Sequence, residues 1–90
     1  MITLNTTITI DRFKTKRYWL NGKLHRTDGP AVEPVNGSGS WFLFGKHHRI
    51  DGPAYEHKNH RTKHWWINGI QLTKQEWSHQ VKLLNKPKSI

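Results

Sequence analysis

The sequence predicts a mainly β protein: an antiparallel meander of β-hairpin repeats, with a period of 23–24 residues, closed by one C-terminal α-helix. Three observations carry this. The stretch Tyr18 to Glu33, YWLNGKLHRTDGPAVE, returns at Trp41 to Glu56 as WFLFGKHHRIDGPAYE, with ten of sixteen positions identical at an offset of 23. Asn-Gly and Asp-Gly-Pro turn signals punctuate the copies at spacings that admit short strands and leave no room for a helix. After Asn68-Gly69 the alternating pattern gives way to a helical one.

A period of this length means units that cannot bury their own apolar face and must stack on neighbours. The chain divides as one domain, residues 1–90. It comprises an N-terminal strand and connection over 1–17, repeat one over 18–40, repeat two over 41–64, a partial third repeat over 65–72, and a helix over 73–86. In the first segment Ile2, Leu4, Ile8 and Ile10 alternate with Thr and Asn, which gives a strand with one apolar face. Each repeat then reads as an aromatic strand, a tight turn, a short basic strand, an Asp-Gly-Pro turn and a strand carrying Ala and Glu. Asp28 and Asp51 suit Asx-type turns, and Gly29 and Gly52 suit a backbone conformation that Val resists. Glu33 and Glu56 are expected opposite Arg26 and Arg49.

Alternation sorts the aromatic residues onto two faces. Tyr18, Trp41 and Trp65 share a register with Leu20, Leu43 and Ile67, the expected core, while Trp19, Phe42 and Trp66 point the other way. An antiparallel meander commonly leaves that second face to water.

The two inter-repeat connections differ in chemistry. Residues 34–40 are rich in Gly and Ser, whereas His57-Lys58-Asn59-His60-Arg61-Thr62-Lys63-His64 is a run of cations and imidazoles with no acid. Function is therefore expected near the second connection. Beyond it, Thr73 and Glu76 form a capping box ahead of Trp77, Val81 and Leu84 at helical spacing, with Lys82, Lys86 and Lys88 near the C-terminal end and Pro87 as a stop.

Charge decides the class of partner. Fifteen Lys and Arg face six acids, a net charge of +9, and four of those acids sit at repeat positions with structural work to do. The surface must be strongly basic, which points to polyanions. Basic residues interleaved with aromatic ones suit an RNA-binding sheet, where unpaired bases stack and cations hold phosphates. The candidate nucleic-acid-binding set is Lys14, Lys16, Arg17, Trp19, Lys46, Lys58, Arg61, Lys63 and Trp66. RNA is preferred to DNA as partner. The competing reading is a protein-binding inhibitor, in one form a homodimer, that docks its basic aromatic face on an acidic host protein or ribonucleoprotein.

Other classes find little support. The sequence has no Cys, hence no disulfide framework or thiolate metal site. His57, His60 and His64 have spacings that align on a helix but scatter on a hairpin, and His25 and His48 recur only because the repeat does. No metal, no other cofactor and no catalytic constellation is expected. The N-terminal residues lack a signal-peptide pattern and no apolar run reaches membrane-spanning length, so a soluble cytoplasmic protein is expected, with no membrane partner.

The units resemble the tandem β-repeats with W-x-x-G and HRxDGPA signatures found in phage and large-virus accessory proteins, distantly similar to MORN repeats. Trp19, Gly22, His25, Arg26, Asp28, Gly29, Pro30 and Ala31 carry the resemblance, and then Gly45, His48, Arg49, Asp51, Gly52, Pro53 and Ala54. It covers roughly residues 18–69 and implies a β-hairpin array of mobile-element origin. In general character the protein is similar to phage counter-defence proteins, including inhibitors of RNA-based toxin–antitoxin systems.

Overall fold

The computed structural model describes residues 5–85, so Ile2, Leu4, Lys86, Pro87 and Lys88 lie outside it. Along the chain run β1 (Thr6–Ile10), β2 (Lys16–Leu20), β3 (Lys23–Leu24), β4 (Val32–Glu33), β5 (Gly39–Ser40), β6 (Phe42–Leu43), β7 (Lys46–His47), β8 (Tyr55–Glu56), β9 (Lys63–Ile67), β10 (Ile70–Leu72) and α1 (Lys74–Leu84). The sheet order is β1-β2-β4-β5-β8-β9-β10, with β3 also on β2 and β6 paired with β7, every pair antiparallel. The chain is thus a mainly β meander of hairpins closed by one helix. Only β1, β2 and β9 reach five residues. The other strands are two or three long: the Asp-Gly-Pro segments interrupt the repeats, and the Thr73 cap ends β10.

Two sets of turns, one along each edge of the sheet, set the repeat. On one edge lie three two-residue hairpin turns, Asn21-Gly22, Phe44-Gly45 and Asn68-Gly69, whose first residue has φ of 49° in all three cases. Both central residues are left-handed, which matches the strand twist. On the other edge, Lys14 N–H bonds Asp11 O, Gly37 N–H bonds Pro34 O and His60 N–H bonds His57 O, with Lys14, Gly37 and His60 all at positive φ. The first of these loops shows that β1 stands where a preceding repeat would. The third contains one extra residue, since His57 N–H reaches Thr62 O whereas Asp11 N–H reaches Thr15 O. That insertion lengthens the period to 24.

Neighbouring units are joined by the same three bonds at each junction. Between units one and two, Gly45 N–H donates to Leu24 O (2.8 Å), Arg26 N–H to Phe42 O (3.1 Å) and Phe44 N–H to His25 Nδ1 (2.9 Å). Between two and three, Gly69 donates to His47 O, Arg49 to Trp66 O and Asn68 to His48 Nδ1. His25 and His48 are therefore acceptors that hold the next unit's turn.

The Asp-Gly-Pro segment is a clasp rather than a left-handed turn. The Arg26 guanidinium lies 4.0 Å from the Tyr18 ring centroid, with Nε on Asp28, and one Nη donates to both Pro30 O and Glu33. Arg49 repeats this on Trp41 at 3.9 Å, with Asp51 and Pro53 O. Asp28 and Asp51 serve as side-chain partners of arginine, and neither Gly29 nor Gly52 has positive φ. Glycine suits the position because a Cβ would stand 2.7 Å from Arg26 Cζ, or 2.6 Å from Arg49 Cζ, and would push the guanidinium out of its clasp. The repeat breaks at the acid: Glu33 meets Arg26, whereas Glu56 pairs with His60 Nδ1 at 3.1 Å.

The third unit ends the array. Thr73 caps α1 in a reciprocal box with Glu76, so its N–H, equivalent to those of Arg26 and Arg49, goes to Glu76 instead of another unit. Trp77 takes the place of the arginine, its ring 4.6 Å from Trp65 and its Nε1–H on Arg49 O. Among the described residues no large side chain is fully buried, and Ala31, Pro53 and Ala54 are buried apolar residues. The expected core face is instead a half-buried row of rings under arginines and a helix. No helix among the described residues is long and apolar enough to cross a membrane.

Candidate nucleic-acid interface

Pairing register tells which side chains share a face. Across the sheet, Lys16 lies opposite Glu33, Gly39 opposite Glu56 and Glu56 opposite Lys63, while Arg17 aligns with Val32, Ser40, Tyr55 and His64 in succession. Alternation puts Tyr18, Trp41 and Trp65 on the first face, the one clasped by Arg26 and Arg49 and covered at its end by Trp77 of α1. Trp19 and Trp66 belong to the second face. Among the described residues no further sheet or helix packs on that face.

The second face carries a ring system the repeat builds stepwise. In a two-residue hairpin the residues one step beyond the turn pair across it, so Trp19 meets Leu24, Phe42 meets His47 and Trp66 meets Gln71. The His47 ring lies 4.0 Å from Phe42 and 4.8 Å from Trp66, where it is stacked at 26°. Alongside, Tyr55 and His64 face each other at 5.5 Å. Trp19 stands at the β1 end, its Nε1–H on Thr9 Oγ1. Burial pushes the His47 imidazole below its ordinary pKa, keeping it neutral and able to stack; burial lowers His48 likewise.

The predicted residues fall into four places. Arg17, Trp19 and Trp66 share the open face. Arg17 is engaged by Asp11 at 2.8 Å, and that hydrogen bond holds the Asp11 carboxyl below its usual range. Lys16 and Lys63 lie on the clasped face, beside Glu33 and Glu56. Lys14, Lys58 and Arg61 sit in the loops of one edge, where Lys58 N–H bonds Ser38 Oγ and Arg61 N–H bonds Asn59 Oδ1. Lys46 lies on the other edge, its stem 3.5 Å from where a Cβ on Gly69 would be. The second connection is an Asx-stabilised turn with exposed Lys58, His60 and Arg61.

Sequence reasoning missed His47, Tyr55, His64 and Gln71. The hairpin pairing rule offered His47 and Gln71, since each mirrors an aromatic residue across its turn. Tyr55 and His64 required the strand order. His57 Nδ1 accepts from Asn59 N–H, His60 pairs with Glu56 and His64 with Gln71, so the three histidines of the connection are engaged separately. Among the described residues no three His, Asp or Glu side chains gather as a metal site would require.

A sheet of this geometry offers rings to planar ligands on one face and exposed cations at two edges. Comparison with protein-family models, curated proteins and solved structures gives no match in any of the three.

Proposed function

We propose that this protein binds single-stranded nucleic acid, RNA in preference to DNA, as a non-enzymatic accessory protein. The observation that carries the reading is the uncovered sheet face on which Trp19, the Phe42–His47–Trp66 ring series and the Tyr55–His64 pair are held, on a chain of net charge +9. Unpaired bases stack on such rings whatever their sequence, and Lys14, Lys58 and Arg61 at the loop edge meet the phosphates. Counter-ions released from the strand supply much of the affinity. In its biological setting, which the resemblance to phage accessory proteins suggests, the protein works in the host cytoplasm and sequesters an RNA on which a defence complex depends.

The test is binding of labelled single-stranded RNA at two salt concentrations. Affinity should fall steeply with salt, and Trp66→Leu should weaken it by ~5–100-fold, the value of one stacked base. Lys58→Glu with Arg61→Glu should weaken binding of every sequence alike and flatten the salt slope. Salt-independent binding, or a Trp66→Leu variant that binds as the parent does, would remove the reading.

A second reading has its own observation. β1 is an edge strand with Ile8 and Ile10 58% and 60% exposed, a surface suited to a protein partner or a second copy. A stoichiometric protein complex that survives nuclease treatment would favour it.

A further inference from the structure

The open face is not uniform. Beside the ring series lies a hollow of ≈ 360 Å³ lined by His47, Tyr55, His64, Trp66 and Gln71. Two aromatic pairs bound it, His47 with Trp66 and Tyr55 with His64. The remaining wall is an amide. Every lining side chain is planar, and none carries a fixed charge, so the hollow suits a flat, neutral, polar-edged group and not a phosphate.

The amide is oriented. Gln71 Nε2 lies 3.1 Å from His64 Nδ1. The contact fixes one side of the amide against the imidazole. An amide carries two N–H donors and an oxygen with two lone pairs, so one contact leaves capacity of both kinds. An N–H and Oε1 remain as an adjacent donor and acceptor, held in place by the histidine. Cross-strand pairing with Trp66 sets the amide beside the indole, where a base stacked on the ring brings its edge within reach.

An adjacent donor and acceptor complement a base edge that presents an acceptor next to an N–H donor. Adenine presents this on both exposed edges, N6–H with N7 and N6–H with N1; guanine presents it on its Watson–Crick edge, O6 beside N1–H, but not on its Hoogsteen edge, where N7 and O6 are both acceptors, and the pyrimidines offer it only on their Watson–Crick edge. A purine also covers more of the indole than a pyrimidine does. We infer that this hollow receives one unpaired adenine of a bound strand, stacked on the aromatic walls and read by the Gln71 amide. The inference deepens the nucleic-acid reading and rests on it.

The position in the array explains why one unit reads and the others do not. The equivalents of Gln71 are Leu24 and His47, neither of which offers an adjacent donor and acceptor. Two units supply stacking and the third supplies discrimination. The exposed amide is not part of the bonds that join the units, so changing it spares the fold.

The experiment compares equal-length oligo(A), oligo(U) and oligo(C) by fluorescence anisotropy at one salt concentration, with the full chain and its Gln71→Ala and Trp66→Leu variants. Thermal melts check that each variant is folded. The expected result is oligo(A) bound tighter than the pyrimidine strands by ~5–50-fold, the range of one good bidentate contact. Gln71→Ala should abolish that preference, bringing oligo(A) to the affinity of the pyrimidine strands. Trp66→Leu should weaken all three. Equal binding of the three strands by the parent, or an adenine preference that survives in Gln71→Ala, overturns the assignment while leaving general binding intact. Failure of every strand to bind overturns both this inference and the reading beneath it.

Discussion

At the scale of single residues, the Arg-Gly pairs carry the most physical content. A guanidinium over a ring, with a carboxylate and a carbonyl fixing its nitrogens, makes a half-buried cation useful where the chain has little apolar interior. Gly52 exists to let Arg49 lie flat. Gly52→Ala should therefore destabilise by ~1–3 kcal/mol through crowding of Arg49. In an Arg49→Ala background the same change should cost much less, because the crowded atoms are gone. Urea denaturation of the four proteins checks this, and equal cost in both backgrounds would place the strain in the backbone. The histidines give a second residue-scale test. His47 and His48 are pushed by burial below their ordinary value, and His48 Nδ1 must stay unprotonated to accept the Asn68 N–H. The unfolded chain thus binds more protons than the folded one once pH falls below about 6.5, so stability is full above that value and declines below it. Asp11 and Asp28, held low chiefly by hydrogen bonds from Arg17 and Arg26, lose their contribution only in stronger acid, below about pH 4. Thermal melts from about pH 8 to about pH 5 should show Tm falling with the histidine titration; a flat profile would mean that neither ring needs to be neutral.

At the scale of elements, the helix is a terminator for the array. Each repeat offers an N–H at the position of Arg26 to the next unit's carbonyl, and an unsatisfied copy of that group would invite pairing by another chain. Thr73 withdraws it by turning the N–H onto Glu76, in the same reciprocal box that starts α1. Trp77 then covers Trp65 as arginine covers the earlier rings. Thr73→Ala should cost ~1 kcal/mol and fray the first turn. Circular dichroism and a urea melt measure this, and unchanged helix content and stability would show that Trp77 alone anchors the element.

At the scale of the molecule, the consequence is a thin plate. It measures 49 × 43 × 18 Å, and its radius of gyration of 14.6 Å exceeds the ~12 Å of a compact chain of this length. Stability comes from the sum of identical junctions between neighbours, as in other repeat arrays, and not from one central core. The plate geometry also governs its electrostatics. Of the six acids, Glu33 and Glu56 lie on the clasped face and Asp28 and Asp51 hold its clasping arginines, while Asp11 engages Arg17 on the open face. Lys14, Lys58 and Arg61 line one edge, Lys23 and Lys46 the other, and a polyanion crossing the ring series meets cations on both sides.

The sequence by itself determined the repeat, its period, the left-handed hairpin turns, the two-face sorting of aromatic residues and the capped helix. Each follows from local rules: turn chemistry, strand alternation and the Thr73–Glu76 spacing act within a few residues. The pairing of His47 and Gln71 with aromatic partners was also within reach, because a two-residue turn fixes its own register. Tertiary structure alone decided the rest. That Lys16 and Lys63 lie on the opposite face from Trp19 and Trp66 follows from alternation, but which face stays open depends on where Arg26, Arg49 and Trp77 fold back. That the first loop repeats the second and third is invisible in Asp11 to Lys14, since hydrogen bonds and backbone angles recur there without the residues. Glu56 leaves Arg49 for His60 because the third loop brings an imidazole near it. The hollow beside Trp66 draws on four strands, β7, β8, β9 and β10. Only the order in which those strands pair brings their side chains together.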